Sequence, residues 1–194
     1  MILYNGPTSP FGRTARVVSL ELQIPLEERI IDVYSATFLD AVNPLRLIPT
    51  LVLDDSQPIY DSRVICAYFD SISGRPTLYP RDQHWAVETR SALAIGAMEA
   101  GLQRRMEMIR PDDEKSPSVI AKLEQRIDRA TDALEGLAPS ITLGALRIDQ
   151  IVTACALEYS DLRYSRDWRR RCPALSAWLA GFAERPAMVA TRPA

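Results

Sequence analysis

The stretch Asn43-Pro44-Leu45-Arg46-Leu47-Ile48-Pro49-Thr50-Leu51-Val52-Leu53, followed after a short turn by Ile59-Tyr60-Asp61-Ser62-Arg63-Val64-Ile65, decides how this chain is read. Pro49 stands directly before an apolar strand and cannot donate to a sheet ladder, so it belongs at the strand entrance. A cis Ile48–Pro49 turn there would leave the Ile48 backbone exposed as an edge for pairing with an extended peptide. Asp61 and Ser62 open a helical run, where a carboxylate, a hydroxyl and unsatisfied helix N–H groups can receive the charged end of a small ligand. Together the two pieces read as a clamp for an extended peptide.

Working outward, short strand-like runs alternate with helices in the first third of the chain. Ile2-Leu3-Tyr4 is strand-like, about Pro10 to Gln23 is helical, and Arg29 to Val33 and Thr50 to Leu53 return to strand. Asp54-Asp55-Ser56 signals a turn before Pro58-Ile59-Tyr60. Val64, Ile65, Tyr68, Phe69 and Ile72 then recur at helical spacing as one apolar face. The order is βαβ, a β-hairpin and a closing helix. After Gly74 to Asp82, with prolines at 76 and 80, no strand pattern returns. This places a first domain at 1–75, a linker at 76–84 and a helical domain at 85–194.

The remainder is helical by period. A long helix runs from about Gln83 to Arg110, and its Met98, Met106 and Met108 suit either a core or an adaptable apolar site. Val119, Ile120, Leu123, Ile127, Ala130, Leu134 and Leu137 form an amphipathic stripe. Ile148 to Leu162 is apolar over more of its circumference, which marks a helix buried in a bundle. Leu175, Trp178, Leu179 and Phe182 add a last core-facing stripe before Pro186.

Composition narrows the function classes. The chain has 194 residues, 47% hydrophobic and 25% charged, enough for a substantial core without disulfide staples. A net charge of −2 disfavours nucleic acid as the main partner. The run Arg166 to Arg171 fits a solvated helix end. No apolar stretch approaches the roughly 20 residues that span a bilayer, and Met1-Ile2-Leu3-Tyr4 lacks the basic flank of a signal peptide, so neither membrane nor export is expected and the chain is placed in the cytoplasm. Cys66, Cys155 and Cys172 are widely separated within apolar patterns and read as buried thiols of a reducing compartment. His84 is the single histidine, and with no clustered cysteines no metal site can be drawn.

Chemistry concentrates at the first strand-to-helix junction, Asn5-Gly6-Pro7-Thr8-Ser9-Pro10-Phe11-Gly12-Arg13. Pro10 at the first helical position makes Ser9 the N-cap, a complete structural role by itself. The same hydroxyl at a helix N-terminus can also donate to a thiolate, and both it and the helix dipole depress a thiol pKa from about 8.5.

Ser9-Pro10-Phe11 with Arg13 and Arg16, Asn43-Pro44-Leu45 with Ile48-Pro49, Asp61-Ser62-Arg63-Val64-Ile65, Leu78-Tyr79-Pro80-Arg81, and Pro173-Ala174-Leu175 with Trp178 resemble, in order and spacing, a bacterial glutathione S-transferase of the serine type. The resemblance runs nearly end to end. It implies a thioredoxin-like βαβαββα domain, an all-helical C-terminal domain, a homodimer, and a detoxifying enzyme using glutathione as co-substrate and no metal. It also implies that Pro49 is cis, that the Ile48 backbone pairs with the cysteinyl part of glutathione, and that Asp61 and Ser62 hold its γ-glutamyl end. Ser9 would face the sulfur, and Phe11 and Arg46 complete the glutathione-binding set. A small hydrophobic electrophile would lie against the helical domain, with Glu99, Arg105 and Met106 as pocket residues by analogy.

Two departures stand out. Many relatives carry a lysine where this chain has Leu47, and Arg46, one residue earlier, would turn away on a regular strand. The second domain's capping box, Ser or Thr followed three residues later by Asp in the family, is here Arg147-Ile148-Asp149-Gln150. Gln150 can serve as a box partner, but Arg147 supplies no capping oxygen, so a weak helix start is expected, and Arg147→Ser would raise the thermal midpoint. Two other activities fit the resemblance. One is a glutathione-dependent disulfide or peroxide reductase, which serine at position 9 disfavours because it cannot form a mixed disulfide. The other is a glutathione-binding or protein-interaction module without turnover.

Overall fold

The structure, a computed structural model, describes residues 1–193. They form two compact units, 1–78 with 185 onward, and 79–184. In the first unit the order is β1 (Ile2–Asn5), α1 (Pro10–Glu21), β2 (Glu27–Ile30), α2 (Leu39–Val42), β3 (Thr50–Val52), β4 (Pro58–Ile59) and α3 (Ser62–Ile72). This is the expected βαβαββα thioredoxin-like arrangement. The sheet order is β2-β1-β3-β4, with β1 parallel to β2 and antiparallel to β3, and β3 antiparallel to β4. Pro58 enters the edge strand β4, where a missing N–H costs no ladder bond. Leu3, Leu51, Val17, Val18, Ile65 and Phe69 are fully buried and form the core of this unit.

Three expectations for the first unit change. β2 begins at Glu27 rather than Arg29, because its pairing starts at Ile2 and, as an exposed edge strand, it shows little apolar alternation. On α3 the stripe splits: Ile65 and Phe69 turn inward, whereas Val64 and Ile72 are 52% and 46% exposed. Positions 64, 68 and 72 step by four and stay on one side of the helix, away from 65 and 69. The boundary falls after Leu78 rather than residue 75, and the last residues belong with the first unit rather than with the helical one. There α10 (Pro186–Ala190), numbered after the second unit's helices, is held by the buried Arg13, which donates from Nη2 to the Met188 carbonyl (3.3 Å) and from Nε to Thr191 Oγ1 (3.4 Å). Arg185 adds a bidentate pair with Glu21, 2.7 Å at each contact.

The second unit is helical: α4 (His84–Met108), α5 (Pro117–Gly136), α6 (Ala138–Ile141), α7 (Ile148–Arg163), α8 (Trp168–Arg171) and α9 (Pro173–Phe182). α5 opens on Ser116, whose Oγ accepts from the Val119 N–H, with Pro117 at the first helical position. Leu123, Ile127, Ala130 and Leu134 bury its stripe, while Val119 and Leu137 at its ends are exposed. α7 is buried along almost its whole length, as its apolar circumference predicts. Of the α4 methionines only Met98 is core; Met106 and Met108 face outward. The basic run is tied down by acids: Arg169 pairs with Asp161 at 2.5 Å and lies over the Trp168 ring, and Arg171 pairs with Asp128 at 2.8 Å.

At the start of α7 Arg147 makes no side-chain cap bond to its own helix, as expected, but its side chain is engaged elsewhere. Arg147 is buried and caps the preceding helix, donating to the carbonyls of Ser140 (2.6 Å), Ile141 (3.5 Å), Leu143 (3.0 Å) and Ala145 (3.4 Å). Gln150 Oε1 accepts from the Arg147 N–H at 3.0 Å, so the glutamine half of the box is present. Asp149, fully buried, is held between Arg147 Nε at 3.1 Å and Arg90 Nε at 2.6 Å.

Candidate functional site

One end of the first unit's sheet gathers the residues singled out in the sequence. Tyr4 pairs with Thr50 and Leu51 with Ile59, so continuing both registers sets Gly6 level with Ile48, and Ile48 and Pro49 level with Ser62 and Asp61. A methyl group added at Gly6 would lie 2.7 Å from Ile48 Cδ1 and 3.9 Å from Ser9 Cβ, which fixes how closely the three approach. The β1–α1 junction, the β3 entrance and the α3 start therefore converge.

Each part is held from behind. Ser9 caps α1: its Oγ accepts from the Gly12 N–H at 3.2 Å. A hydroxyl has one hydrogen and two lone pairs, so the cap leaves the hydrogen available to a ligand and the two roles open at residue 9 are compatible. Gly12 is required where it stands, because a Cβ there would fall 1.5 Å from Asn5 Oδ1. That oxygen accepts from the Gly6 N–H at 2.8 Å, and Asn5 Nδ2 donates to Glu28 at 2.9 Å, locking the junction to β2.

The Ile48–Pro49 bond is cis, as is Tyr60–Asp61. Buried Asn43 and Thr50 shape the loop between them: Asn43 Nδ2 donates to the Leu47 carbonyl (3.0 Å) and to Thr50 Oγ1 (2.9 Å), and Thr50 Oγ1 donates to the same carbonyl (2.8 Å). Those bonds use the backbone of Leu47 and leave that of Ile48. Among the described residues neither the amide nor the carbonyl of Ile48 has a hydrogen-bond partner. Asp61 caps α3, its Oδ1 accepting from the Arg63 N–H at 3.0 Å, while Oδ2 meets Arg63 Nη2 at a loose 3.4 Å. The amide and hydroxyl of Ser62 have no partner among the described residues. The corner thus offers a hydroxyl hydrogen, a free backbone pair, a carboxylate oxygen and a helix N-terminus.

The other expected residues lie as follows. Phe11 is half-buried in the first turn of α1, and Leu47 is exposed. Arg46 has a left-handed backbone (φ +52°), and its guanidinium is within 3.4 Å of both Asp40 and the Tyr34 carbonyl, so it is already engaged. Glu99, Arg105 and Met106 are exposed on α4 of the second unit. The sequence reading passed over Asn5, Asn43 and Thr50, the side chains that hold the corner. Among the described residues no group of three or more His, Cys, Asp or Glu side chains is arranged to hold a metal, and no helix is long and apolar enough to cross a membrane.

Comparison with known proteins bears on this corner. Residues 3–77 match the family described as glutathione S-transferase, N-terminal domain. The chain is 32% identical over 168 residues to the uncharacterized GST-like protein YibF of Escherichia coli K12, covering 84% of this chain and 83% of that one. A glutathione transferase family member from Pseudomonas fluorescens Pf-5, solved with bound glutathione, is 35% identical with a TM-score of 0.92 over 100% of this chain and 98% of its own. A glutathione S-transferase from Methylobacillus flagellatus, also solved with glutathione bound, is 30% identical with a TM-score of 0.94 over 100% and 99%.

Proposed function

The chain belongs to the glutathione S-transferase superfamily, and from that premise we propose that it binds glutathione at the sheet-end corner and transfers the glutathione thiolate to a small electrophile. The observation that carries this reading is the convergence of the Ser9 hydroxyl with the unpartnered backbone of Ile48 and the unpartnered start of α3. Glutathione is an extended tripeptide with a charged γ-glutamyl end, so its needs match those groups one for one. Ile48 N–H and C=O pair with the cysteinyl backbone, the Ser62 N–H receives the γ-glutamyl carboxylate, and Asp61 Oδ2 receives its ammonium. Ser9 then donates its hydroxyl hydrogen to the sulfur.

The chemistry is thiolate activation. The Ser9 hydrogen bond and the positive end of α1 favour S⁻ over SH, and each unit of pKa depression corresponds to about 1.4 kcal/mol. The sulfur lone pair attacks the electrophilic carbon, the C–S bond forms, and the leaving group departs with the bonding pair. We place this activity in the cytoplasm and in detoxification, consistent with three buried free cysteines. The protein functions as a homodimer in this reading: α3 carries Val64, Ala67, Ser71 and Ile72 outward as an apolar-to-small stripe that a second copy would cover.

The test is a spectroscopic pH titration of the glutathione thiol bound to the native protein and to Ser9→Ala. A depressed pKa that returns towards about 8.5 in the variant is expected. An unshifted thiol in the native protein would remove the transferase mechanism and leave a glutathione-binding module.

A further inference from the structure

The corner of the first unit fixes where a bound peptide begins and therefore where it ends. Ile48 offers its N–H and C=O together, and Pro49 stands level with Asp61 by continuation of the β3–β4 register. A peptide that pairs its second residue with Ile48 and holds its first at Asp61 and Ser62 must run antiparallel to 47–49. Its third residue and terminal group then lie opposite Leu47. That residue is firmly placed: its carbonyl accepts from Asn43 Nδ2 at 3.0 Å and from Thr50 Oγ1 at 2.8 Å, while its side chain is 59% exposed.

This end of the corner presents apolar side chains and an excess of negative charge. Between residues 30 and 49 the sequence has a single cation, Arg46, against Asp32 and Asp40. The guanidinium of Arg46 is engaged within its own loop: Nε lies 3.4 Å from Asp40 Oδ1, and Nη2 donates to the Tyr34 carbonyl at 3.4 Å. Leu45, next to Arg46, and Tyr34, whose carbonyl it meets, are exposed like Leu47. A terminal carboxylate is recognised by an ammonium point charge or by a bidentate guanidinium. Set against leucines and a net-negative segment, it gives up hydration without gaining a partner, whereas an uncharged end has no such loss.

We infer that this site reads the first two residues of its peptide and not the charge of the third. Its thiol substrates are then γ-glutamylcysteinyl peptides as a class, those with an uncharged C-terminal end, an amide or an ester, being taken as readily as glutathione. The inference rests on the glutathione-binding part of the proposed function and deepens it. Leu47 is the residue that sets this tolerance, because it occupies the position opposite the terminal group.

The experiment compares glutathione with its glycyl monoethyl ester, in which an ethyl group replaces the terminal charge. Both are titrated calorimetrically, under reducing conditions, into the full chain, Leu47→Lys and the uncharged control Leu47→Gln. The native chain is expected to prefer glutathione over the ester by no more than about twofold. In Leu47→Lys that preference is expected to rise to at least about fivefold, the gain of one charge-assisted contact at a partly exposed site. Leu47→Gln is expected to behave as the native chain does. A native preference for glutathione beyond the stated margin overturns the inference and leaves the glutathione-binding reading standing. Indifference that persists in Leu47→Lys, or an equal gain in Leu47→Gln, overturns the placement of the terminal group at Leu47. Binding of neither peptide refutes the glutathione reading and this inference with it.

Discussion

Two helix starts in this molecule are built from similar residue types and end in opposite conditions. α3 opens on Asp61 and Ser62 with one carboxylate oxygen capping the helix and the first amide and hydroxyl unpartnered. α7 opens on Arg147, Asp149 and Gln150, all buried, with the carboxylate held between two guanidinium groups and the arginine spread over four carbonyls of the preceding segment. The first start leaves polar groups for a ligand; the second consumes them to hold α6, α7 and α4 together. An unsatisfied group tolerated at the helix end beside an exposed carboxylate points to binding, whereas a buried carboxylate held by two guanidinium groups points to folding.

The sharpest way to break this contrast is to remove the closed start's acid. Asp149→Ala leaves Arg90 and Arg147 buried without a counterion and is expected to cost about 3–5 kcal/mol, a fall of roughly 6–20 °C in thermal midpoint, with glutathione affinity of the folded fraction unchanged. Arg147→Ser falls in the same direction by a smaller amount, since a serine cap returns only about 1 kcal/mol. A rise in midpoint would mean that the carbonyl contacts of Arg147 contribute nothing. Next comes Gly12→Ala, which forces Asn5 from its place and is expected to cost about 1–3 kcal/mol by denaturant titration, a closed feature inside the otherwise open unit.

Asp61→Ala sharpens the contrast from the other side. It is expected to cost about 1 kcal/mol of stability as a lost cap and at least about tenfold in glutathione affinity by calorimetry. Equal losses at Asp61 and Asp149 in both measurements would erase the distinction. Smaller still is an alkaline effect confined to the helical unit. Burial, reinforced by nearby acids, pushes the Cys172 thiol from 9.0 up to about 11 and the Tyr164 phenol from 10.0 up to about 12. The folded state holds these protons more tightly than the unfolded state, so their contribution is complete below pH 9 and is lost as pH rises through the two ranges. Thermal midpoints of Tyr164→Phe measured from pH 8 to 12 should fall less steeply than those of the native chain.

The chain's periodicities carried the long elements, whereas the one-turn α2 (Leu39–Val42) has no period to read and entered only through the resemblance. α4 and α7 were placed within about two residues, since a long apolar period is a local property of sequence. The corner was legible because Pro49, Pro10 and Asp61 each constrain their own backbone. Buried polar partnerships were not. Nothing local to Arg147 announces that it caps another helix, and nothing near Asn43 or Thr50 says that they hold the Leu47 carbonyl from inside. Val64 and Ile72 misled for a related reason: the period identifies an apolar stripe, but which edge of it meets the core depends on packing elsewhere.

The return of α10 to α1 has a consequence in time. Arg13 reaches its partners at Met188 and Thr191 only after every residue of the helical unit has been polymerised. While the ribosome is still translating that unit, the sheet-end corner stands on a domain whose last packing element does not yet exist, so premature release would yield an incompletely packed first domain.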